Sequence, residues 1–516
     1  MQTKKRSLLA LVIAMTMSLT VACGSTSQTK TEAKKDILIA GNAEPSTMDP
    51  HDTNDTIAYS YQKTMLEGLF GFDKDMKVVP VLAESYTAND SATEFTIKLR
   101  KGVKFQDGTD FNAAAAKVNI DRLSDQTQKL KRNSLFNMVS KTDIVDDYTI
   151  KITLKSSFGA MINTLAHPAG MMISPKALKE YGKEVSKHPV GTGPYTFKEW
   201  IPGTKLTVVK NDKYWGTAPQ YNSITFKAVK EDGSRVAMLQ TGEADFIYPV
   251  PTMQVDKLKA DKNITINQSS SIIARYVSMN VNKKPFDDIR VRQALNYAID
   301  KKEYSKVVFN GFADPSKSII SPNVQFYSEQ KQYDYNIEKA KELLKEAGYP
   351  NGFKTTLWSG NSSAAIKGGE FIQQQLAKVG VTVTVAPQEQ ASLMAKVFNA
   401  PKGSKGEVEM YYAGWSPSTG DADWGIRPLF AEESIPPTSY NTAYYINKES
   451  DKLVKAALET SDPKARADAY GKVQKMLWDD CPWIFLTYDG NISASRSNIT
   501  GISVLPDGSL MISSGK

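Results

Sequence analysis

The chain has 516 residues, of which 41% are hydrophobic, 23% charged and 9% aromatic, and its formal net charge is +8. This length exceeds what one hydrophobic core supports, so two or three domains are expected, and the composition excludes wholesale disorder and fibrous classes. Two cysteines exclude a disulfide framework, and three histidines without i,i+3 or i,i+4 spacing form no recognisable zinc cluster, so no metal or cofactor is predicted.

The N-terminal segment has the features of a targeting signal. Basic residues at 4–6 precede an apolar run, 8–22, which has the length of a signal-peptide core and is too short to span a bilayer. The run ends directly before Cys23 in a pattern similar to a bacterial lipobox, although Thr20 stands where that pattern prefers leucine. The sequence therefore predicts a signal peptide over 1–22 and a lipidated Cys23 that anchors the protein on the extracytoplasmic face of the cell membrane. An ordinary secretory peptide with an incidental cysteine is the alternative.

A flexible tether is predicted at 23–36, because small and polar residues dominate there and no large apolar side chain occurs. Beyond it, strand-like and helix-like patterns interleave. Strands are predicted at 36–40, 94–99, 148–154 and 205–209, and helices at 57–69, 291–298, 337–347 and 371–379. This texture indicates a mixed α/β fold, and no internal repeat is found.

Five motifs occur in order along the chain. They are GVKFQDG (102–108), HPVGTGPY (188–195), KYWG (213–216), LQTGEAD (239–245) and RVRQALNYAID (290–300). In this order they resemble the family-5 extracellular solute-binding proteins, which are the peptide, nickel and glutathione receptors of ABC importers. The resemblance extends over about residues 37–512. The segments most similar to the glutathione receptors of the family are 130–132, 355–359, 414–424 and 436–445.

The resemblance implies a two-lobed α/β fold of the large, peptide-binding periplasmic-binding-protein type, with two interlobe crossovers and an extra subdomain. It assigns the first lobe to 37–275 plus 485–516, with a subdomain at 70–190, and the second lobe to 276–484. It also implies a monomeric receptor that encloses a small-molecule ligand by hinge closure and delivers it to the permease subunits of an ABC transporter.

The segment 414–424 is the main candidate for ligand contact, because it follows an apolar strand at 410–412 and holds two tryptophans, three hydroxyls and two carboxylates. Strand-end crevices bind ligands in α/β proteins, and a pocket for a polar peptide needs aromatic walls and fixed acceptors. The candidates are Trp415, Ser416, Ser418, Thr419, Asp421 and Asp423. Asp421 and Asp423 are predicted to accept hydrogen bonds from a ligand ammonium; alternatively, either caps the following helix.

Two positions depart from the peptide receptors of the family. Those receptors place an aspartate where Ser418 stands, and the dipeptide receptor has an arginine near Ser359, which here follows Trp358. Glutathione needs a different charge layout, because its γ-linkage moves the α-amino and α-carboxyl groups onto a branch. The hypothesis is that the ligand is glutathione or a related γ-glutamyl peptide; a di- or oligopeptide or a nickel chelate is the alternative. Trp358 and Asn441 lie in the receptor-like segments and are further candidate contacts.

Glutathione carries two carboxylates, so the cleft is expected to present cations. The candidates are Arg132, Arg275 and His167, and the planar arginine fork suits a carboxylate. Each has a structural alternative: a solvated helix face for Arg132, an ion pair at the hinge for Arg275, and a turn before Pro168 for His167.

Catalysis is not predicted. The sequence contains no Gly-x-Ser-x-Gly elbow, no His-Glu-x-x-His motif and no P-loop. Basic residues do not cluster with aromatic residues in a stripe, so nucleic acid is not indicated as a partner.

Overall fold

The computed structural model describes residues 35–513. In this range the strands are β1 (Asp36–Gly41), β2 (Phe70–Phe72), β3 (Val78–Pro80), β4 (Ala83–Ala88), β5 (Glu94–Leu99), β6 (Val139–Asp146), β7 (Thr149–Leu154), β8 (Tyr195–Ile201), β9 (Lys205–Lys210), β10 (Ser223–Ala228), β11 (Phe246–Tyr248), β12 (Ile264–Met279), β13 (Asp314–Pro315), β14 (Lys354–Gly360), β15 (Thr382–Gln388), β16 (Met410–Trp415), β17 (Trp483–Arg496), β18 (Ile502–Val504) and β19 (Leu510–Ile512). The helices are α1 (Thr56–Met65), α2 (Ala113–Ser124), α3 (Asn133–Phe136), α4 (Met161–Ala166), α5 (Pro175–Tyr181), α6 (Asp232–Thr241), α7 (Val255–Lys259), α8 (Ile289–Tyr297), α9 (Lys301–Phe309), α10 (Ile337–Glu346), α11 (Ser363–Ala377), α12 (Gln390–Phe398), α13 (Ala422–Phe430), α14 (Lys448–Leu458) and α15 (Pro463–Asp480).

Helix α1 ends four residues before the predicted boundary at Leu69. The main-chain carbonyl of Met65 accepts hydrogen bonds from Gly193 N and from Gln106 Nε2, both at 2.9 Å, and Leu66 is extended. A Cβ on Gly193 would lie 2.6 Å from the Met65 carbonyl carbon. The helix therefore stops where two of the sequence motifs dock on its last turn, which local periodicity does not reveal.

The largest sheet has eleven strands in the order β15-β14-β16-β12-β17-β11-β1-β10-β9-β8, with β13 beside β17. Its centre is the long antiparallel pair β12 and β17, whose register runs from Ile264–Arg496 to Ser278–Trp483 and is interrupted near Ala274. The strands on the β17 side of this pair, from β11 to β8 in the sheet order, belong to the predicted first lobe. Those on the β12 side, from β16 to β15, belong to the predicted second lobe. The predicted boundaries at 275 and 485 fall inside β12 and β17, so the prediction makes these two strands the segments that cross between the lobes.

A separate sheet, β4-β5-β7-β6, lies inside the predicted subdomain at 70–190. Strands β5 and β7 alternate buried and more exposed residues, and the sheet packs onto α2 and α4 in a hydrophobic cluster whose buried members all lie within residues 69–172. A second cluster, within residues 277–486, packs α8 to α11 on the part of the large sheet that is predicted to belong to the second lobe. Among the described residues, no helix combines the length and the apolar character needed to cross a membrane.

Candidate functional site

A cavity of about 270 Å³ opens where β16 ends beside β12. Aromatic side chains form one wall: the rings of Trp415 and Tyr440 lie 4.9 Å apart, and that of Phe398 lies 5.2 Å from Tyr440. Trp415 is oriented by a hydrogen bond from its Nε1 to the carbonyl oxygen of Trp424, 2.7 Å long. Tyr440 is 38% exposed, so this wall is available for contact with a ligand.

The strand beside this wall has a free edge. Strand β14 pairs with β16 only at Leu357–Met410 and Trp358–Tyr411, so from residue 412 to 415 the β14-facing edge has no partner among the described strands. On the opposite edge, β12 pairs with β16 as far as Trp415. Main-chain groups on a free edge can hydrogen-bond an extended peptide.

Arg275 crosses the floor of the cavity and is held by Asp489. Its Nε donates to both carboxylate oxygens of Asp489, at 2.9 and 3.0 Å, and its Nη2 donates to Oδ2 at 2.6 Å. A Cβ on Gly414 would lie 2.8 Å from Arg275 Nη1, so the guanidinium rests directly on the β16 main chain. The hinge ion pair is therefore present, and the guanidinium also lines the cavity.

The loop after β16 contacts residues of the predicted first lobe. Ser418 N donates to Ser416 O at 2.8 Å, which forms a tight turn, and the carbonyl oxygen of Thr419 accepts a hydrogen bond from Asn163 Nδ2 of α4 at 3.3 Å. A Cβ on Gly420 would lie 3.1 Å from the ring of Phe72. Ser416 and Ser418 are half-buried and Thr419 is buried at this contact between the lobes.

Both loop carboxylates form ion pairs with arginines. Asp421 accepts hydrogen bonds from Arg466 Nη1 and Nη2 at 3.0 and 2.9 Å, and its Oδ1 accepts from Asp423 N at 2.8 Å, which caps α13. Asp423 accepts from Arg427 Nε and Nη2, both at 2.8 Å. The helix-cap alternative is observed for Asp421, and contact of either residue with a ligand ammonium stays a prediction.

In the predicted first lobe, the structure brings Arg132 and His167 together on the two sides of one tyrosine. Arg132 Nε donates to Thr53 O at 2.8 Å and to Tyr59 Oη at 2.9 Å, and the Tyr59 ring meets the His167 ring edge-on at 5.5 Å. His167 Nδ1 accepts from Ala169 N at 3.0 Å, as the turn alternative requires, and burial lowers the pKa of His167 well below its ordinary value.

Arg132 itself is half-buried, and its two terminal amino groups make no hydrogen bond or ion pair with residues 35–513. A carboxylate of a ligand would complete this cation. Tyr59, which orients both Arg132 and His167, was not predicted from the sequence, because a tyrosine in an amphipathic helix carries no local sign of a site.

The last two candidates lie behind the aromatic wall. Trp358 is half-buried, and the ammonium of Lys396 lies 5.6 Å from its ring centroid. Asn441 is fully buried; its Nδ2 donates to Ala431 O at 3.0 Å and to Tyr445 O at 2.8 Å, and its Oδ1 accepts from Tyr445 N at 3.1 Å. Asn441 thus holds the chain turn that carries Tyr440.

Two of the sequence motifs meet at Glu67, another residue that the sequence analysis did not predict. Its carboxylate accepts hydrogen bonds from Tyr214 Oη at 2.6 Å, Thr192 Oγ1 at 2.7 Å and Trp215 Nε1 at 2.9 Å. Burial raises the pKa of Glu67, against the opposing effect of these donors. These motif residues therefore brace the first lobe from within.

Within residues 35–513, no group of three His, Cys, Asp or Glu side chains is placed to hold a metal ion. The predicted lipidation site, Cys23, and the predicted signal peptide lie outside the described residues.

Comparison with known proteins identifies close relatives. A family model described as "Bacterial extracellular solute-binding proteins, family 5 Middle" matches residues 77–436. The glutathione-binding proteins GsiB of Escherichia coli (strain K12) and of Shigella dysenteriae serotype 1 are each 48% identical over 477 residues, which is 92% of this chain and 93% of the relative.

Two solved structures share the fold. DppA from Helicobacter pylori, in complex with the peptide STSA, is 28% identical, with a TM-score of 0.74 over 92% of this chain and 98% of that one. HbpA2 from Haemophilus parasuis is 25% identical, with a TM-score of 0.83 over 93% of this chain and 100% of that one. The predicted two-lobed α/β fold of the periplasmic-binding-protein type is confirmed by these matches.

Proposed function

Because the chain belongs to family 5 of the bacterial extracellular solute-binding proteins, we propose that it captures glutathione or a closely related γ-glutamyl peptide for an ABC importer. The observation that carries this proposal is the 48% identity, across 92% of the chain, with proteins named for glutathione binding. The family consists of receptors of importers rather than enzymes, which agrees with the absence of catalytic motifs from the sequence.

The proposed site joins the free edge of β16 to the two cationic side chains. The peptide main chain lies along residues 412–415 and contacts the Trp415 ring, one carboxylate meets the face of Arg275 that Asp489 leaves free, and the other meets Arg132. The arrangement suits a ligand with two carboxylates, since arginine binds carboxylates with paired hydrogen bonds.

The ammonium of the ligand also needs hydrogen-bond acceptors in this arrangement. Asp421 and Asp423 already bind arginines, so either would have to share its charge with the ligand. Main-chain carbonyls of the β16 edge and the hydroxyls of Ser416 and Ser418 offer neutral acceptors at the same place. We assign the ammonium to these groups, which lie beside Thr419 at the contact between the lobes.

The proposed cycle of ligand capture and delivery depends on closure of the two lobes around the ligand. A ligand shifts the lobes toward the closed form only if it binds that form more tightly, which requires contacts with both lobes. Arg132 belongs to the first lobe and Trp415 to the second, so one ligand reaching both would supply the difference.

Calorimetry with the chain from residue 24 onward tests the proposal. We expect glutathione to bind with an affinity near micromolar, about −8 kcal/mol, and dipeptides and nickel to give no signal. Silence toward glutathione beside clear binding of a di- or oligopeptide, or of a nickel chelate, would replace the proposed ligand with that alternative.

We further propose that the protein acts as a monomer, held to the extracytoplasmic face of the cell membrane by a lipid on Cys23, with the tether at 23–36 leaving the lobes free to reach the permease. Support comes from the basic and apolar pattern that precedes Cys23 in the sequence.

A further inference from the structure

The cavity at the end of β16 is larger than glutathione needs on its aromatic side. The two carboxylates of glutathione are assigned to Arg275 and Arg132, and the cysteinyl thiol is the side chain of glutathione that remains. A thiol places a single sulfur atom in the cavity, whose volume is about 270 Å³. Apolar cavities of about 150 Å³ already hold a benzene molecule, so space is left beyond the sulfur.

Five side chains form a connected wall on this side of the cavity. The ring centroids of Trp415 and Tyr440 lie 4.9 Å apart, and that of Phe398 lies 5.2 Å from Tyr440 and 6.2 Å from Tyr411. The hydroxyl of Tyr411 donates to the thioether sulfur of Met394 at 3.9 Å. All five residues line the cavity, so these contacts gather four aromatic rings and one thioether around the same space.

Most of this wall is open to that space. Met394 is 36% exposed and Tyr440 is 38% exposed, while Trp415 and Phe398 are half-buried. Tyr411 is buried and serves mainly to hold the Met394 sulfur. Apolar surface in a concave site is favourable to cover, and it marks a place where an apolar group binds.

The geometry of β16 separates the aromatic wall from the cation. Side chains alternate between the two faces of a strand, so Tyr411 and Trp415 lie on one face and Gly414 on the other. Arg275 is paired directly opposite Gly414 in β12 and therefore shares its face, with Nη1 2.8 Å from where a Cβ on Gly414 would lie. An extended ligand along the free edge of β16 sends neighbouring groups to opposite faces. If one group meets Arg275, the next meets the aromatic wall.

Charge is confined to the Arg275 end of the cavity. Of the described residues that line it, only Arg275 is charged. The polar groups on the rim, the amide of Gln390 and the hydroxyl of Ser362, are neutral and exposed, so they stay hydrated. A charged substituent would find no counter-ion beside the aromatic wall, whereas an apolar substituent would lose nothing there.

Building on the proposed capture of glutathione, we propose that this receptor prefers glutathione thioethers, in which an apolar group is attached to the sulfur, over glutathione with a free thiol. The sulfur lies against Trp415 and Tyr440, and the attached group packs on Phe398 and Met394. Sulfur and hydrocarbon both pack favourably on aromatic rings, and the unbranched methionine adapts to groups of different shape.

Calorimetry on the chain from residue 24 onward compares glutathione, S-methylglutathione, S-hexylglutathione and glutathione disulfide. Each fully buried methylene raises affinity about fourfold. We therefore expect S-hexylglutathione to bind at least about tenfold more tightly than glutathione, with S-methylglutathione between them. Glutathione disulfide brings further charges to the aromatic wall and should bind no more tightly than glutathione.

Variants of the wall place the substituent. Met394→Gln keeps the side-chain length and replaces the thioether with a polar amide, and Phe398→Leu removes ring area. Each should lower the ratio of S-hexylglutathione affinity to glutathione affinity by at least about threefold. Met253→Gln, at a methionine that is 79% exposed and does not line the cavity, is the matched control and should keep the wild-type ratio. Because both ligands are measured on one preparation, a partly unfolded variant does not change the ratio.

S-hexylglutathione binding no more tightly than glutathione would overturn this inference and leave the capture of glutathione standing. A wild-type ratio in both Met394→Gln and Phe398→Leu would also overturn it, because the hexyl group would then lie elsewhere. Tighter binding of glutathione disulfide than of S-hexylglutathione would refute the apolar preference. Binding of none of the four ligands would refute the proposed function together with this inference.

Discussion

The Asp421–Arg466 ion pair allows a direct test of whether the loop at 414–424 binds ligand through its carboxylates or uses them for stability. The side chains of the pair are 0% and 4% exposed. Asp421→Asn keeps the shape of the side chain and its ability to cap α13, since asparagine is as good a cap as aspartate. The substitution therefore removes the negative charge and changes little else.

The expected cost follows from burial. Removing one partner of a buried ion pair leaves the other charge without compensation, which typically costs about 3–5 kcal/mol. Asp423→Asn should cost less, about 1–3 kcal/mol, because its partner Arg427 is 27% exposed and can reach water. Asp479→Asn, which breaks only an exposed pair with Lys475 on α15, is the control and should cost at most about 1 kcal/mol.

Urea unfolding measures the stability effect, and calorimetry with glutathione measures the binding effect. If the carboxylates stabilise the loop, Asp421→Asn loses several kcal/mol of unfolding free energy and keeps nearly all of its affinity in the folded state. The opposite result, an affinity at least about tenfold lower with an unchanged free energy of unfolding, would refute this reasoning and identify Asp421 as the acceptor of the ligand ammonium.

Three further outcomes are expected. Asp489→Asn should weaken glutathione binding by at least about tenfold in calorimetry, as Arg275→Gln should, because the guanidinium loses the anchor that orients it; wild-type affinity in both variants would exclude Arg275 from the site. Cys23→Ser should move the protein from membranes to the medium in cell fractionation with its ligand affinity intact, and continued membrane attachment would contradict the lipid anchor. Burial lowers the pKa of His51 from 6.5 to about 4, so the unfolded state binds the proton first. His51 alone should lower the free energy of unfolding by up to about 3 kcal/mol between about pH 6.5 and about pH 4, and urea titrations should show a smaller fall in His51→Gln than in the control His188→Gln.

The sequence by itself determined the features that depend on near neighbours. Strands β5 and β7 match their predicted positions within one residue, because alternation of buried and more exposed side chains is set by the period of an extended chain. Helix α10 likewise begins at the predicted Ile337, where the side chain of Asn336 caps its first turn. The ordered motifs identified the family, and with it the two-lobed fold.

Only the tertiary structure decided which charges are free. Asp421 finds its arginine 45 residues along the chain, and Arg132 meets Tyr59 across 73 residues; no local spacing encodes such pairs. Both carboxylates of the loop are predicted from the sequence to be available and are paired with arginines in the fold, whereas Arg132, which lies in a basic stretch, keeps two amino groups without a partner among residues 35–513. The physical reason is that periodicity reports a residue's own segment, while the counter-ion of a buried charge is set by the packing of distant segments against each other.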